Sequence, residues 1–178
     1  MSYNFLSKQV ENKNYLSPVG FKFNLTKTPK VDFFSNSAKI PGITLGGAKV
    51  GNYLKAIDVP GDNIEFEDLT IQFIVDEDLE NYLAIHSWIY GLGYPESVKE
   101  FQDLITKEDG LKDPNEQYCD GTLAILNSNF NVSARVKFRD LYPTALSALE
   151  FTATEQDYTY FTATATFKYL IYTIEVGT

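Results

Sequence analysis

Apolar and polar residues alternate with a period of two along most of this chain, and that alternation predicts a protein built mainly of β-strands. It begins after Pro18, where Val19, Phe21, Phe23 and Leu25 share one face and Lys22 and Asn24 take the other. Thr28-Pro29-Lys30 ends this strand, since proline lacks the N–H that a ladder needs, and Val31 to Ala38 is the expected return. Leu69, Ile71, Phe73 and Val75 alternate with Thr70, Gln72 and Ile74, and Thr122 to Asn129 predicts a further strand. Val132, Ala134, Val136 and Phe138 then alternate with Ser133, Arg135, Lys137 and Arg139. Leu141-Tyr142-Pro143-Thr144 reads as a turn, with Ala145 to Thr152 as the strand after it. Tyr160 to Glu175 is expected as one long strand: Phe161, Ala163, Ala165, Phe167, Tyr169 and Ile171 face one way, and Thr162, Thr164, Thr166 and Lys168 the other.

Other segments break the period. Asp76 offers an N-cap, with Glu77, Asp78 and Glu80 suited to a first helical turn. Leu79, Tyr82, Leu83, His86 and Ile89 recur at helical spacing, and Gly91 and Gly93 supply the stop. Glu96 to Lys107 predicts a shorter second helix, and residues 108–120 an exposed acidic connection. Residues 41–63 carry four turn dipeptides (Pro41-Gly42, Gly46-Gly47, Gly51-Asn52 and Pro60-Gly61) among Ile43, Leu45, Val50, Tyr53, Leu54, Ile57 and Val59. That is too long and too apolar for a solvated loop, so a protruding hairpin is expected, closed by Pro60-Gly61. A lone hairpin is marginal in water, so its apolar residues need a partner surface. Residues 1–17 are polar and read as an N-terminal arm before a single domain over 18–178. The expected fold is mainly β (α+β), an antiparallel β-barrel or sandwich with one flanking helix and a protruding hairpin.

Composition narrows the class. One domain is the length prior for 178 residues, and 44% apolar with 15% aromatic content supplies a packed core. A net charge of -9 with only two arginines, Arg135 and Arg139, argues against holding nucleic acid through its phosphates. One cysteine excludes an internal disulfide and fits a reducing compartment. The Met1-Ser2-Tyr3-Asn4 start has no basic-then-apolar signal pattern, and no run reaches the ~20 apolar residues of a membrane span. The chain therefore reads as soluble, with no membrane partner and synthesis in a cytoplasm.

Candidate chemistry is thin. His86 is the only histidine, which forbids a His-rich metal site, and its place on the helix stripe suggests packing. A Cys119–His86 dyad is formally open, but Asp113, Glu116 and Asp120 around Cys119 disfavour a thiolate. Asp76-Glu77-Asp78 resembles half a calcium loop without its glycine or its terminal bidentate glutamate. Glu67 and Asp68 alternate onto opposite faces, so with Glu65 they make no converging acid–base pair. Gly46-Gly47-Ala48-Lys49 has the wrong spacing for a phosphate loop. No catalytic residue, metal site or cofactor is expected, and the chain is not read as an enzyme.

Taken in order, several motifs resemble a known family: Ala38-Lys39-Ile40-Pro41-Gly42-Ile43, a Gly/Lys/Tyr-rich hairpin, Asp58-Val59-Pro60-Gly61-Asp62, Phe66-Glu67-Asp68-Leu69-Thr70-Ile71, Val75-Asp76-Glu77-Asp78, a helix carrying Trp88, and Phe138-Arg139-Asp140-Leu141-Tyr142-Pro143-Thr144. The pattern over residues 18–175 is similar to the tail tube proteins of contractile-tailed, T4-like bacteriophages, related to type VI secretion tube proteins and to baseplate tube initiators. The resemblance implies a structural virion protein of the tail, assembled in the host cytoplasm. Six subunits would form a ring, and rings would stack into a tube. Self-association is then the main partnership, beside tail sheath and baseplate proteins, with a tape measure protein or DNA passing through the lumen without specific binding. Ile43, Leu45, Val50, Tyr53, Leu54, Ile57, Val59 and Tyr142 are the implied inter-subunit residues. The polar arm and the acidic insert from Lys107 to Asp120 depart from the family pattern and suggest a specialised ring, such as a baseplate initiator. An acidic lumen would let DNA slide, because like charge opposes phosphate contact. A lipocalin-like ligand-binding β-barrel is the alternative of a different class, with Ala163 and Ala165 leaving interior room.

Overall fold

The computed structural model describes residues 16, 20–27, 35–51, 53–106, 112–152 and 160–176. The expected arm, 1–17, lies outside them apart from Leu16. The described residues form β1 (Phe21–Leu25), β2 (Ser35–Ala38), β3 (Ile43–Val50), β4 (Ile57–Phe66), β5 (Leu69–Ile74), α1 (Glu80–Gly93), α2 (Val98–Leu104), a 3-10 turn (Pro114–Gln117), β6 (Cys119–Leu126), β7 (Val132–Leu146), β8 (Thr162–Lys168) and β9 (Ile171–Val176).

Strand β7 organises the molecule. Its first part pairs antiparallel with β6 on one side and β9 on the other, and β6 continues to β1. Its last part pairs with β8, which continues to β5 and β2. One strand thus belongs to two sheets, and the sheets fold over each other as a sandwich. It is not a closed barrel: β1, β2 and β9 each pair on one side only among the described residues.

The core lies between these layers and follows the alternation. Leu69, Ile71 and Phe73 of β5 are buried, and the pairing sets them opposite Phe167, Ala165 and Ala163 of β8. Small opposite large lets α1 settle on this sheet, with the Trp88 ring 6.3 Å from that of Phe167. Phe23 and Leu25, Leu123, and Val136, Phe138 and Leu141 close the core from the other sheet. Aromatic rings from both sheets fill the interior, so the room expected beside Ala163 and Ala165 is taken by packed side chains.

Four expectations change. The corner at Leu141–Thr144 is no turn: β7 runs straight through it, with Asp140 at φ 54° and a register shift near Pro143 where the strand changes sheets. Pro143 is tolerated because β7 pairs there only with β8. The strand expected over 145–152 is therefore only the end of β7. Tyr160 to Glu175 is two strands, since the chain crosses from one sheet to the other at Tyr169 and Leu170.

The helix also starts later and turns a different face. Leu79, at φ 58°, precedes it without a side-chain cap, so Asp76 is not the N-cap. Asn81 does the corresponding work from inside the helix. Fully buried, it donates from Nδ2 to the Ile74 carbonyl at 2.8 Å and accepts at Oδ1 from the Asp76 amide at 3.3 Å. The packed line is Asn81, Ile85, Trp88 and Gly91, while Leu83 and His86 are exposed. His86 stacks on Tyr90 with ring centres 4.5 Å apart.

Candidate assembly surface

Strands β3 and β4 form a separate two-stranded sheet, joined between Val50 and Ile57 rather than at Pro60-Gly61. An antiparallel ribbon of this length reaches about 25–30 Å. It buries little of itself: Ile43, Leu45, Val50, Ile57 and Ile64 are each half exposed or more, and Leu54 and Tyr53 at the tip are 89% and 99% exposed. Monomeric surfaces seldom carry so many contiguous apolar groups unless something covers them. Val59 is half-buried within the ribbon.

The register sorts these side chains. Ile43 pairs with Phe66 and Leu45 with Ile64, so the lower ribbon is apolar on one face. Beyond a register shift at Gly46, Ala48 pairs with Val59 and Val50 with Ile57. Alternation along β3 puts this upper group on the opposite face. The switch occurs where β4 carries Gly61 against Gly46: a Cβ on Gly61 would lie 2.6 Å from the Gly46 carbonyl oxygen. Two glycines there bring the backbones close enough for the ribbon to bend and change its sticky side.

The base of the ribbon is clamped. Tyr169 donates its hydroxyl to the Glu67 carbonyl at 2.8 Å, just after β4, and Tyr172 donates to the Pro41 carbonyl at 3.1 Å, just before β3. Phe66 packs between these rings, at 5.6 Å from Tyr172 and 6.1 Å from Tyr169, and Phe138 supports both from the core. The Glu67 carboxylate accepts from Lys39 Nζ at 2.9 Å and from the Gly42 amide at 3.3 Å. Those two hydrogen bonds and the nearby Lys39 charge hold its carboxyl below the ordinary range. Burial, helped by Tyr172, Asp68 and Glu67, pushes the Tyr169 phenol up to about 12. It therefore stays a donor across any physiological pH.

Tyr142 stands apart from the ribbon. It is half-buried on β7, with its ring edge-on to Tyr118 at 5.9 Å, and lines an open cleft at the C-terminal end of α1. A second open cleft lies between α1 and α2, where Lys27 sits 5.2 Å above the Trp88 ring and donates to the Glu116 carbonyl. Burial lowers the Lys27 ammonium pKa, against the pull of Glu116 and Cys119. Residues 76–120 hold twelve acidic and three basic side chains, so the whole net charge of -9 lies in this stretch and the remainder of the chain is balanced. The ribbon, by contrast, is close to neutral. Among the described residues no group of three His, Cys, Asp or Glu side chains is placed to hold a metal ion.

Of the expected ribbon residues, Ile43, Leu45, Val50, Tyr53, Leu54 and Ile57 are exposed, whereas Val59 is half-buried. Sequence reasoning found the ribbon. It missed Ile64 and the clamp, because nothing in local pattern says that Tyr169 and Tyr172 reach back to Glu67 and Pro41.

A sandwich that holds out an exposed apolar ribbon on a tyrosine-clamped base presents a surface suited to being covered by another protein. A sequence profile of the family described as phage tail tube protein matches residues 5–175, and the chain belongs to that family, a structural component of phage tails. It is 28% identical over 117 residues to the tail tube terminator protein of Enterobacteria phage T4, an alignment that takes in 65% of this chain and 60% of that relative's length. Its fold is similar to that of a solved chain from the tube-terminating cap of the anti-feeding prophage, with TM-score 0.63, 14% identity, and 98% and 100% of the two chains covered. A chain from the sheath–tube complex of the PVC extracellular contractile injection system is similar as well, with TM-score 0.57, 14% identity and 93% and 94% coverage. No helix among the described residues is long and apolar enough to cross a membrane.

Proposed function

We propose that this chain forms a ring, of six copies in the family's pattern, that terminates the tail tube in the virion. The observation that carries self-assembly is the β3–β4 ribbon, apolar on opposite faces at its two heights. Such a ribbon serves two contacts at once, one near its own body and one farther out. Ring closure by non-identical surfaces needs no self-complementary patch. The terminator position rests on the named T4 relative, whose match excludes about two fifths of its own length. Catalysis plays no part: the ring conducts, binds its tube and meets the sheath end through surface complementarity.

A repeated tube subunit is the second reading, favoured by the description of the family itself. Negative-stain microscopy of the purified protein separates the two. Discrete rings that do not elongate support the terminator, long tubes support the repeated subunit, and a monomer at high concentration overturns both.

A further inference from the structure

We propose that Phe130 is an anchor that seats in the cleft beside Tyr142 on a neighbouring copy of this chain, joining copies head to tail. Phe130 lies in the β6–β7 turn at φ 59°, in the left-handed region where glycine or asparagine fits and a bulky side chain is strained. The turn is held firmly in that form. Asn127 Oδ1 accepts from the amides of Asn129 at 2.9 Å and Asn131 at 3.0 Å, and the Phe130 amide donates to the Asn127 carbonyl at 2.9 Å. Yet the ring is 75% exposed, so packing within the subunit does not explain a phenylalanine there. A strained, rigidly presented aromatic in solvent is what an interface anchor looks like before its partner arrives.

The receiving cleft is on the same molecule. Ile89, Leu92, Gly93, Tyr118, Tyr142 and Pro143 line about 490 Å³ of open space, ample for one phenyl ring. No residue lining it is charged, whereas the α1–α2 cleft is lined by Lys27, Glu100 and Asp103. The turn from Asn127 to Asn131 is also free of charge. Both surfaces are themselves uncharged, so seating the ring opposes no like charges directly at the contact. The anchor lies just before the start of β7 and the cleft near its other end, about 30 Å away at ~3.3 Å per residue. They cannot meet within one subunit. Between copies they make a head-to-tail contact, the kind that closes rings.

This inference rests on the reading that copies assemble, and the test separates the two. The full-length protein is examined by sedimentation velocity and thermal melting as wild type, Phe130→Asn, Phe130→Tyr and Gly93→Phe. The last fills the cleft, since a side chain at Gly93 meets open space. Asparagine relieves the backbone strain, so Phe130→Asn should melt at the same temperature or higher while association weakens about ten-fold or more. Phe130→Tyr should associate as wild type, and Gly93→Phe should lose association without losing its fold. A photo-crosslinking phenylalanine analogue at position 130 should join to residues 89–93, 117–118 or 142–143 of a second copy. Wild-type association by Phe130→Asn, or crosslinks that map elsewhere, overturns the Phe130 contact alone. A wild-type protein that stays monomeric overturns this contact and the ring together.

Discussion

At the scale of single residues, the two tyrosines at the ribbon base are the most telling. Each spends its hydroxyl on a carbonyl at one end of the ribbon, so Tyr169→Phe and Tyr172→Phe should each cost about 1 kcal/mol of stability, as neutral hydrogen bonds do. Hydrogen exchange should show the larger effect: faster exchange across β3 and β4 with the sandwich unchanged. Tyr169 has a phenol pKa raised from 10.0 to about 12, so its folded form favours the neutral hydroxyl. Its contribution is complete below pH 10 and is lost as pH climbs toward 12. Ultraviolet titration of tyrosinate should find a late-titrating phenol that Tyr169→Phe removes. Glu67 behaves with the opposite sign. Its pKa is lowered, so its contribution is present at neutral pH and fades as acid protonates the carboxylate.

At the scale of elements, the ribbon separates folding from assembly. Ile57→Asp and Leu45→Asp alter exposed side chains, so subunit stability should move by no more than about 0.5 kcal/mol while association is lost. Denaturation and sedimentation together check this. Gly61→Ala should do something different: its methyl runs into the Gly46 carbonyl, so the bend and the second apolar face should be displaced. The ribbon was legible in sequence because apolar residues and turn dipeptides crowded one stretch, and β5 because Leu69, Ile71 and Phe73 alternate without interruption. Other elements were not, since tertiary neighbours decide them. Pro143 looks like a turn until β7 is seen to lie at an edge there. Tyr160 to Glu175 alternates as far as Lys168. The change of sheet falls within the four apolar residues Tyr169 to Tyr172, after which Tyr172 rather than Ile171 packs on the core. Helix α1 has apolar residues on several sides, and which line is buried depends on Trp88 finding Phe167 and donating to the Gln117 carbonyl at 3.0 Å. The outward residues of the candidate site could be read from the chain; its anchoring could not.

At the scale of the whole molecule, the net negative charge and the apolar ribbon occupy different regions. The helical stretch carries the acid, and the ribbon carries exposed aliphatic side chains. Assembly driven by the ribbon against a net charge of -9 per copy should strengthen with salt, because screening removes repulsion and leaves apolar contact intact. Light scattering from low to about 1 M ionic strength should show growth, where contacts built on ion pairs would weaken. The central claim is that this sandwich exists to assemble through its ribbon. Sedimentation velocity of the wild type beside Ile57→Asp tests it most directly. One closed species several times the monomer mass for the wild type, and a folded monomer for the variant, is the expected result. Identical behaviour of the two proteins, whether both monomeric or both assembled, contradicts it.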